Sequence, residues 1–529
     1  MPSPRSFTGT IASRGYAEGP LFALEVGTVA YRTSGEPETE AGRLKDAIAA
    51  AAAEVAILAA STGGEAAEII EFQLAMLEDD ALSEPALSLV AEGADAAAAW
   101  HAALAEQTQI YLTSDSEYFR ARATDLGDIS DRVLRILTGT DELKPPPGAV
   151  LFATDITPSQ FLGHDWSHGG GIVLLRGSPA SHVAMLARAR RIPMLVGVAG
   201  LAPEGEEPVL VDAELGRVTL SPEQGAVSGF RSEAAAALQV LTEASAIATR
   251  PAMTADGTPI AVHVNIASPD EVDTIDIATC DGVGLMRTEF LYGSGLPDEE
   301  TQYMAYRRVL DWAAGKPVVI RTVDAGGDKP VPGFTVDESN PFLGLRGIRL
   351  ALARPHIFRT QIRALLRAAR AGNLKVMFPM VSVVGEYHKA VSLFGAIADE
   401  LAAEGVPHAA PPLGIMVEVP AVAIAPEQLH EAAFFSIGSN DLTQYVMAAS
   451  RDNGTVANLN DVTHPAVLSL ITNVARFGAQ AGIPVSLCGD AGSDPAAIPA
   501  LLATGLRSLS VSPAQLAMAK RAISSVRLG

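Results

Sequence analysis

The run VVIRTVD at residues 318–324 begins with three β-branched apolar residues and ends in charged ones. Five further runs in the second half of the chain have the same form, and helical-looking sequence separates most of them: GVGLMRTEF (282–290), KVMFPM (375–380), GIMVEVP (414–420), FFSIGSNDLTQ (434–444) and VSLCGD (485–490). Short apolar strands that alternate with helices predict parallel strands joined by crossover helices. From PIAVHVNI at 259–266 to LRSLSVS at 506–512, the pattern predicts a closed (β/α)8 barrel.

The polar residues at the ends of these runs predict a site. The carboxyl ends of all the strands of a (β/α)8 barrel meet on one rim, where the active sites of such barrels lie. That rim would carry two arginines, two carboxylates, an amide and a thiol: Arg287, Arg321, Glu418, Asp441, Asn440 and Cys488. Guanidinium groups bind phosphate and carboxylate bidentately, and Mg²⁺ typically takes one or two protein carboxylates. The set therefore predicts chemistry on a small, doubly anionic substrate.

Composition limits the class of protein. A length of 529 residues predicts roughly three domains, and a hydrophobic content of 48% is ample for large cores. The net charge of −23 argues against nucleic acid or an anionic membrane as a partner, because both require clustered Lys and Arg. The two cysteines, Cys280 and Cys488, fit a reducing compartment. Neither a secretion signal nor a membrane-spanning stretch is evident, so we expect a soluble, cytoplasmic protein.

Changes in composition predict the domain organisation. Residues 7–30 alternate like short strands, whereas residues 36–140 are rich in Ala, Glu and Leu at helical spacing. The run KPPPG at 144–148 cannot continue a helix, and a compact α/β stretch follows it. We expect a multidomain α/β protein with a discontinuous α/β domain, a helical subdomain, a helical linker and the barrel, at residues 1–30 plus 145–222, 31–144, 223–250 and 251–529 respectively.

A histidine in the first half lies at a predicted helix start. An apolar strand at 172–175 is followed by a Gly-Ser-Pro turn, by Ser181 and His182, and by apolar residues at helical spacing. This places His182 in the first helical turn, beside unpaired backbone N–H groups and the positive end of the helix dipole. A phosphate on the imidazole would be stabilised there, with Ser181 as a further donor. The alternative is a helix-capping serine beside a histidine without function.

The sequence resembles a known family. The Ser-His turn and its helix are similar to the phosphohistidine domain shared by enzyme I of the phosphoenolpyruvate-dependent sugar phosphotransferase system, pyruvate phosphate dikinase and phosphoenolpyruvate synthase. The barrel motifs closely resemble those of enzyme I, and the similarity extends over nearly the entire chain: GLMRTEF, IRTVDAGGDK, NPFLGLRGIR, GIMVEVP, FSIGSNDLTQY, LCGDAG and, in the helical region, RATDLGDISDRVLRIL. The resemblance implies a helical carrier-docking subdomain, a swivelling α/β phosphohistidine domain and a C-terminal TIM barrel.

The resemblance also implies an activity. Phosphate would pass from phosphoenolpyruvate to His182 and on to a histidine of an HPr-like phosphocarrier, with release of pyruvate. Mg²⁺ would lie on Glu418 and Asp441, and Cys488 would protonate carbon 3 of the enolate, whereas Cys280 is expected only to pack. The substrate-binding set would be Arg287, Arg321, Asn440, Arg451, Arg346 and Lys329. A homodimer through the barrels is implied as well.

A docking surface for the carrier is expected on the helical subdomain. It would include several acidic side chains, Glu68, Glu71, Glu78 and Asp79, and the helix at 122–137. The alternative is a solvated acidic helix face.

Departures from the family pattern lie close to the predicted nucleophile. Residues 177–182 read GSPASH where enzyme I usually has GGRTSH, so Ala180 replaces a hydroxyl, and Ser13-Arg14-Gly15 replaces Ser-Pro-Gly. Two alternatives stand beside the phosphotransferase. One is a dikinase or synthase, although the helical segment leaves no room for its ATP-binding domain. The other is a regulatory protein that binds phosphoenolpyruvate without turnover.

Overall fold

In this computed structural model two compact units are distinguished, Met1–Ala237 and Leu238–Gly529. The residues described are 4–24, 31–60, 65–112, 117–140, 145–179, 181–203, 205, 207–292, 295–327, 331–336, 338–450, 456 and 459–529. No helix in these ranges is long and apolar enough to cross a membrane.

The first unit contains an eight-stranded mixed sheet in the order β1-β8-β7-β3-β4-β5-β6-β2. Strands β1 to β8 are Arg5–Thr8, Thr10–Ser13, Tyr16–Ala23, Val150–Ala153, Gly171–Leu174, Met194–Val196, Pro208–Asp212 and Arg217–Leu220. The central strands β3 to β6 pair in parallel, and the outer pairs are antiparallel. Residues from both sides of the helical segment therefore share one sheet.

The described residues of the inserted segment of the first unit form five helices. They are α1 to α5, at Pro37–Ala60, Glu65–Glu78, Asp80–Ala91, Ala96–Leu112 and Glu117–Thr138. Buried residues recur three or four positions apart along α1, as at Leu44, Ala47, Ala51 and Val55, so small side chains let neighbouring helices approach closely. The bundle is tied to the α/β part by the buried Asp128, which accepts a hydrogen bond from Ser159 Oγ at 2.6 Å.

Three further helices follow in the described part of the chain before the barrel. They are α6, α7 and α8, at Pro158–Gly163, His182–Arg190 and Gln224–Ile247. The boundary between the two units falls within α8.

The second unit is a closed barrel of eight parallel strands, which confirms the predicted fold. Strands β9 to β16 are Ala261–Ile266, Val283–Met286, Val318–Arg321, Leu374–Phe378, Leu413–Val417, Phe435–Ile437, Val485–Leu487 and Ser508–Val511. Helices α9 to α17 are Glu299–Trp312, Ile348–Ala353, Pro355–Ala368, Val384–Ala403, Pro420–Ile424, Ser439–Met447, Pro465–Ala481, Ile498–Ala503 and Leu516–Ser525.

Alternation along the strands decides which side chains enter the barrel. Ile415 and Val417 of β13 belong to the large core between strands and helices, whereas Met416, between them, belongs to a small cluster inside the barrel that also includes Cys488. Because successive side chains point to opposite faces, Glu418 follows Met416 on the interior face. The same alternation directs Arg321 inward at the end of β11.

Candidate active site

Arg321 lies almost completely buried at the carboxyl end of β11, with 4% of its surface exposed. Its guanidinium contacts Glu289 Oε1 at 3.0 Å and Asp324 Oδ2 at 3.1 Å, and donates to Met416 Sδ at 3.6 Å. Glu289 Oε1 also accepts a hydrogen bond from the backbone N–H of Asp324 at 2.8 Å. The two carboxylates therefore fix the plane of the guanidinium.

Arg346 is equally buried and joins two carboxylates. It donates to Asp324 Oδ2 at 2.9 Å and to Asp441 Oδ1 at 3.1 Å, and its Nη1 also donates to the hydroxyl of Tyr445 at 3.3 Å. Asp324 thus lies between two guanidinium groups. Asp324 ends the run VVIRTVD, but no role in the site was assigned to it from the sequence.

Glu418 follows β13 and is 1% exposed. Its Oε1 accepts a hydrogen bond from the backbone N–H of Met380 at 2.6 Å. Burial, followed by the charges of Asp441 and Asp324, raises the pKa of Glu418 to about 8. A cation beside this carboxyl group would lower that pKa again.

The carboxylates of this site fit a hard divalent cation. No cluster of three or more His, Cys, Asp or Glu side chains that could hold a metal ion is present in the described part of the chain. The predicted pair, Glu418 and Asp441, would supply two protein ligands, and oxygens of water or of a bound ligand would complete the shell, as is usual for Mg²⁺. Asp441 lies not at the strand end itself but in the first turn of α14, which begins at Ser439 only two residues after β14.

Asn440 and Arg287 complete the described part of the predicted rim. Asn440 exchanges two hydrogen bonds with Asp490, at 2.8 and 3.0 Å, and so connects α14 to the loop after β15. Arg287 follows β10 and is half-buried, and its guanidinium has no hydrogen-bond partner among the described residues. Its donors are therefore available to an anion. Lys329 and Arg451 lie outside the described residues.

Cys488 lies inside the barrel directly after β15 and is 2% exposed. It packs in the interior cluster with Leu285, Met377 and Met416. Burial raises the pKa of the Cys488 thiol to about 11, so the thiol stays protonated at neutral pH. A side chain at the next residue, Gly489, would place its Cβ 1.7 Å from Ser439 Oγ, so only glycine fits this close approach.

Cys280 differs from Cys488 in its surroundings. It is buried before β10, its thiol faces the carbonyl of Ile277 at 3.8 Å, and burial raises its pKa. It belongs to the core between the strands and helices.

His182 is the first residue of α7, as its sequence position predicts. Ser181 is the N-cap, and its Oγ accepts a hydrogen bond from the backbone N–H of Ala184 at 3.2 Å. The turn before it is held by Arg188, whose Nη1 donates to the carbonyls of Pro179 at 2.7 Å and Ala12 at 2.8 Å. Residue 180 and the side chain of His182 are outside the described part of the structure.

The predicted carrier-docking acids lie on and just after α2. Glu71, Glu78 and Asp79 are exposed, and Asp79 caps the next helix by accepting from the backbone N–H of Ala81 at 2.9 Å. The side chain of Glu68 is outside the described residues. The helix predicted at 122–137 is part of α5.

Comparison with protein families accounts for nearly the whole chain. Three family models match: PEP-utilising enzyme, N-terminal, at residues 8–122; PEP-utilising enzyme, mobile domain, at 145–216; and PEP-utilising enzyme, PEP-binding domain, at 242–528. The last of these matches the barrel that carries Arg321, Glu418 and Cys488. The first two match the segments on either side of the KPPPG boundary.

Relatives with known names agree with these matches. The phosphoenolpyruvate-protein phosphotransferase of Geobacillus stearothermophilus is 37% identical, covering 96% of this chain and 91% of the relative. That of Enterococcus faecalis is 35% identical, covering 95% and 91%. Among solved structures, the NMR structure of an Enzyme I protein is 24% identical, covers 44% of this chain and 98% of that chain, and has a TM-score of 0.37. The chain belongs to the phosphoenolpyruvate–protein phosphotransferase family, the enzyme I family.

Proposed function

We propose that His182 takes the phosphate of phosphoenolpyruvate at the barrel site and passes it to a histidine of an HPr-like phosphocarrier. The observation that carries the barrel assignment is the convergence of Arg321, Arg346, Glu418, Asp441 and Cys488 inside one end of a closed barrel. Relatives named as phosphotransferases do not favour the dikinase or the non-turnover sensor.

The substrate would be held mainly by arginines. Phosphoenolpyruvate carries a phosphate and a carboxylate, and two guanidinium groups can form bidentate hydrogen bonds with both. The carboxylate partners of Arg321 orient its guanidinium for this role. The guanidinium of Arg287 donates to none of the described residues. Asn440 would donate to a phosphate oxygen, and Arg346, Arg451 and Lys329 are the further members of the binding set.

A divalent metal is required by enzymes of this family, and we propose that it is Mg²⁺ held by Glu418 and Asp441. When bound, the ion supplies positive charge opposite the phosphate and the enolate oxygen. Arg346 holds Asp441 in place from the protein side through two hydrogen bonds, at 3.1 and 3.4 Å.

Residues of both units would take part in the transfer. A ring nitrogen of His182 attacks phosphorus, the bond from phosphorus to the enol oxygen breaks, and its electron pair stays on the enolate oxygen. The Ser181 hydroxyl and the N-terminal N–H groups of α7 would stabilise the phosphoimidazole. Cys488 then gives its thiol proton to carbon 3 and completes pyruvate.

The two roles of His182 suggest a hinge. The residue must meet phosphate at the barrel and then present it to a carrier, and one fixed pose does not serve both partners. We propose that the 223–250 linker, whose helix α8 crosses the boundary between the two units, is that hinge. The helical subdomain 31–144 would dock the carrier through Glu71, Glu78 and the α5 helix, and the barrels 251–529 would pair as a homodimer.

The nucleophile assignment is tested with His182→Ala. The variant should take up no stable label from phosphoenolpyruvate carrying labelled phosphate, yet bind phosphoenolpyruvate at the barrel with unchanged affinity. The wild-type adduct should be labile in acid and stable in base, as a phosphorus–nitrogen bond requires. His168→Ala, which removes an exposed histidine of the same α/β domain, should keep full labelling. Undiminished label on His182→Ala would refute the assignment.

A further inference from the structure

The side chain of Asn265 connects three strands of the barrel. Asn265 lies on β9, and its Nδ2 donates to the carbonyl of Ser510 in β16 at 3.3 Å. The same Nδ2 donates to the carbonyl of Cys488, directly after β15, at 3.4 Å. Strand β16 lies between β15 and β9 in the barrel. The amide of Asn265 therefore reaches past its neighbouring strand to the residue proposed as the proton donor.

The partners of this amide fix its orientation. Ser510 Oγ donates to Asn265 Oδ1 at 2.7 Å, and Ser510 is 1% exposed. The two other partners are carbonyl oxygens, which can only accept, so the NH2 group must face them. Gly284 on β10 leaves room for the serine, because a Cβ there would lie 2.5 Å from Ser510 Oγ. Ser510 thus orients Asn265 towards Cys488.

Cys488 is held on both sides of its Cα atom. Its N–H donates to the carbonyl of Ile437 in β14 at 3.0 Å, and its thiol donates to the same carbonyl at 3.7 Å. The peptide group after Cys488 leads into Gly489, which lacks the side chain that restricts backbone rotation in other residues. The hydrogen bond from Asn265 is made to the carbonyl of this peptide group. It therefore limits a rotation that would displace the Cα atom and the thiol of Cys488.

Protonation of an enolate depends on where the acid lies. Carbon 3 of the enolate of pyruvate is planar, and a proton can reach it from either face. An acid fixed on one side delivers its proton to one face, whereas a thiol free to move, or water, delivers protons to both. A displacement of about 1 Å can also lower a rate by about 10²-fold. Efficient transfer to one face therefore requires a thiol whose backbone is held in place.

We propose that Asn265, oriented by Ser510, positions Cys488 so that its thiol protonates a single face of carbon 3. The inference rests on the proposed function, in which Cys488 is the proton donor. In that step the S–H bond breaks, its electron pair stays on sulfur, and the electron pair of the enolate forms the new C–H bond. The thiolate regains a proton from solvent before the next turnover. Asn265 acts through the carbonyl of Cys488 and is a positioning residue.

The test reads the configuration of the methyl group that the full-length protein forms. Phosphoenolpyruvate with deuterium at one defined position of carbon 3 is mixed with excess protein and Mg²⁺ in tritiated water. In the labelled pyruvate the methyl group carries hydrogen, deuterium and tritium, and its configuration reports which face was protonated. Lactate dehydrogenase and NADH reduce the pyruvate as it forms, which prevents exchange at the methyl group and reversal of the transfer.

Wild type should give a single configuration. Asn265→Ala should give nearly equal amounts of both and form pyruvate up to about 10²-fold more slowly in the first turnover, because the thiol is no longer held in place. Its affinity for phosphoenolpyruvate should stay unchanged. Ser510→Ala, a smaller change that removes the hydroxyl orienting the amide, should also give a mixture of configurations.

Asn473→Ala is the matched control. Asn473 lies on the outer helix α15, and its Nδ2 likewise donates to two carbonyls, those of Ala423 and Ile424 in α13, at 2.9 and 3.0 Å. The variant loses the same kind of contact at a distance from the thiol. We expect it to keep the wild-type configuration, because a general loss of stability lowers the amount of folded protein and not the facial selectivity of the folded molecules.

The outcomes separate the positioning role from the proposed proton donor. A single configuration in Asn265→Ala and Ser510→Ala overturns the inference, as does a mixture in wild type or in Asn473→Ala. If Asn265→Ala does not fold, Ser510→Ala alone decides.

Cys488→Ser tests the donor itself. If this variant forms pyruvate at the wild-type rate, the thiol is not the donor and the proposed function is wrong at this residue. If it forms pyruvate slowly while Asn265→Ala keeps the wild-type configuration, only the positioning role is wrong.

Discussion

At the scale of single residues, the barrel site is a balance of buried charges. Arg321 and Arg346 face Asp324, Glu289 and Asp441, and each guanidinium is paired with at least two carboxylates. Burying such groups is costly unless they are paired and hydrogen-bonded. Glu418 has no arginine within salt-bridge distance in the described structure, so its carboxyl group is the one most affected by burial.

Glu418 gives a prediction for stability as a function of pH. Its pKa of about 8 in the folded, metal-free protein lies above the ordinary value of 4.5. Folding therefore favours its protonated form, and this contribution to stability is present below pH 4.5 and is lost as pH rises through about 8. With EDTA, the melting temperature of the barrel should fall over this range in wild type but change less in Glu418→Gln. Glu431→Gln, at an exposed barrel position, should follow wild type. Equal slopes in all three would remove Glu418 as the cause.

The sequence predicted some residues of the site and could not predict others, for a physical reason. Arg321, Glu418 and Cys488 each end an apolar run, and a parallel barrel necessarily brings strand ends to one rim. The partners of Arg346 are different. They lie 22 and 95 positions away, at Asp324 and Asp441, and no periodicity encodes that pairing. It depends on how Arg346, two residues before α10, packs against Asp324 after β11 and Asp441 in α14.

At the scale of elements, the sequence predicted the alternation of side chains along strands but not the order of the strands in the sheet of the first unit. In the first unit, PVLVDAELGRVTL forms the antiparallel pair β7 and β8, a local hairpin. The neighbour of β8, however, is β1, where Arg5 pairs with Leu220 from the other end of the unit. Such distant pairings are selected by burial of the whole sheet and not by any local pattern.

The start of helix α7 gives a prediction with a matched control. Ser181 caps α7 next to His182, and Thr157 caps the nearby α6 in the same way, with Gln160 completing a capping box. Ser181→Ala and Thr157→Ala should each cost about 1 kcal/mol of stability, the usual value for a lost cap. Only Ser181→Ala should also shorten the lifetime of the phosphohistidine, since of the two hydroxyls only that of Ser181 is proposed to donate to the phosphate. If the lifetime of the phosphohistidine shortens equally in both variants, the loss of stability is the cause.

At the scale of the whole molecule, α8 is fastened at both ends and exposed between them. In the first unit, Arg231 of α8 forms a bidentate pair with Glu18, at 2.6 and 2.8 Å. In the second unit, the buried Lys520 donates to the carbonyls of Ala248 and Arg250, just beyond the end of α8, at 2.6 and 2.9 Å. Ala244 is the buried residue of the helix. Each unit therefore holds its own end of α8 and has its own hydrophobic core.

Separate cores predict separate unfolding. Calorimetry of the full-length protein should show two unfolding transitions. Phosphoenolpyruvate with Mg²⁺ should raise the midpoint temperature of only one of them. A ligand at 100 times its Kd stabilises the unit that binds it by about 2.7 kcal/mol. His182→Ala should show the same shift, because its substitution lies in the other unit. Asp441→Asn should lose the shift, because it removes the charge of one of the two carboxylates proposed to hold the metal. If the ligand raises the midpoint temperatures of both transitions together in wild type, the units do not unfold independently. Motion at a hinge within α8 would then have to overcome that coupling.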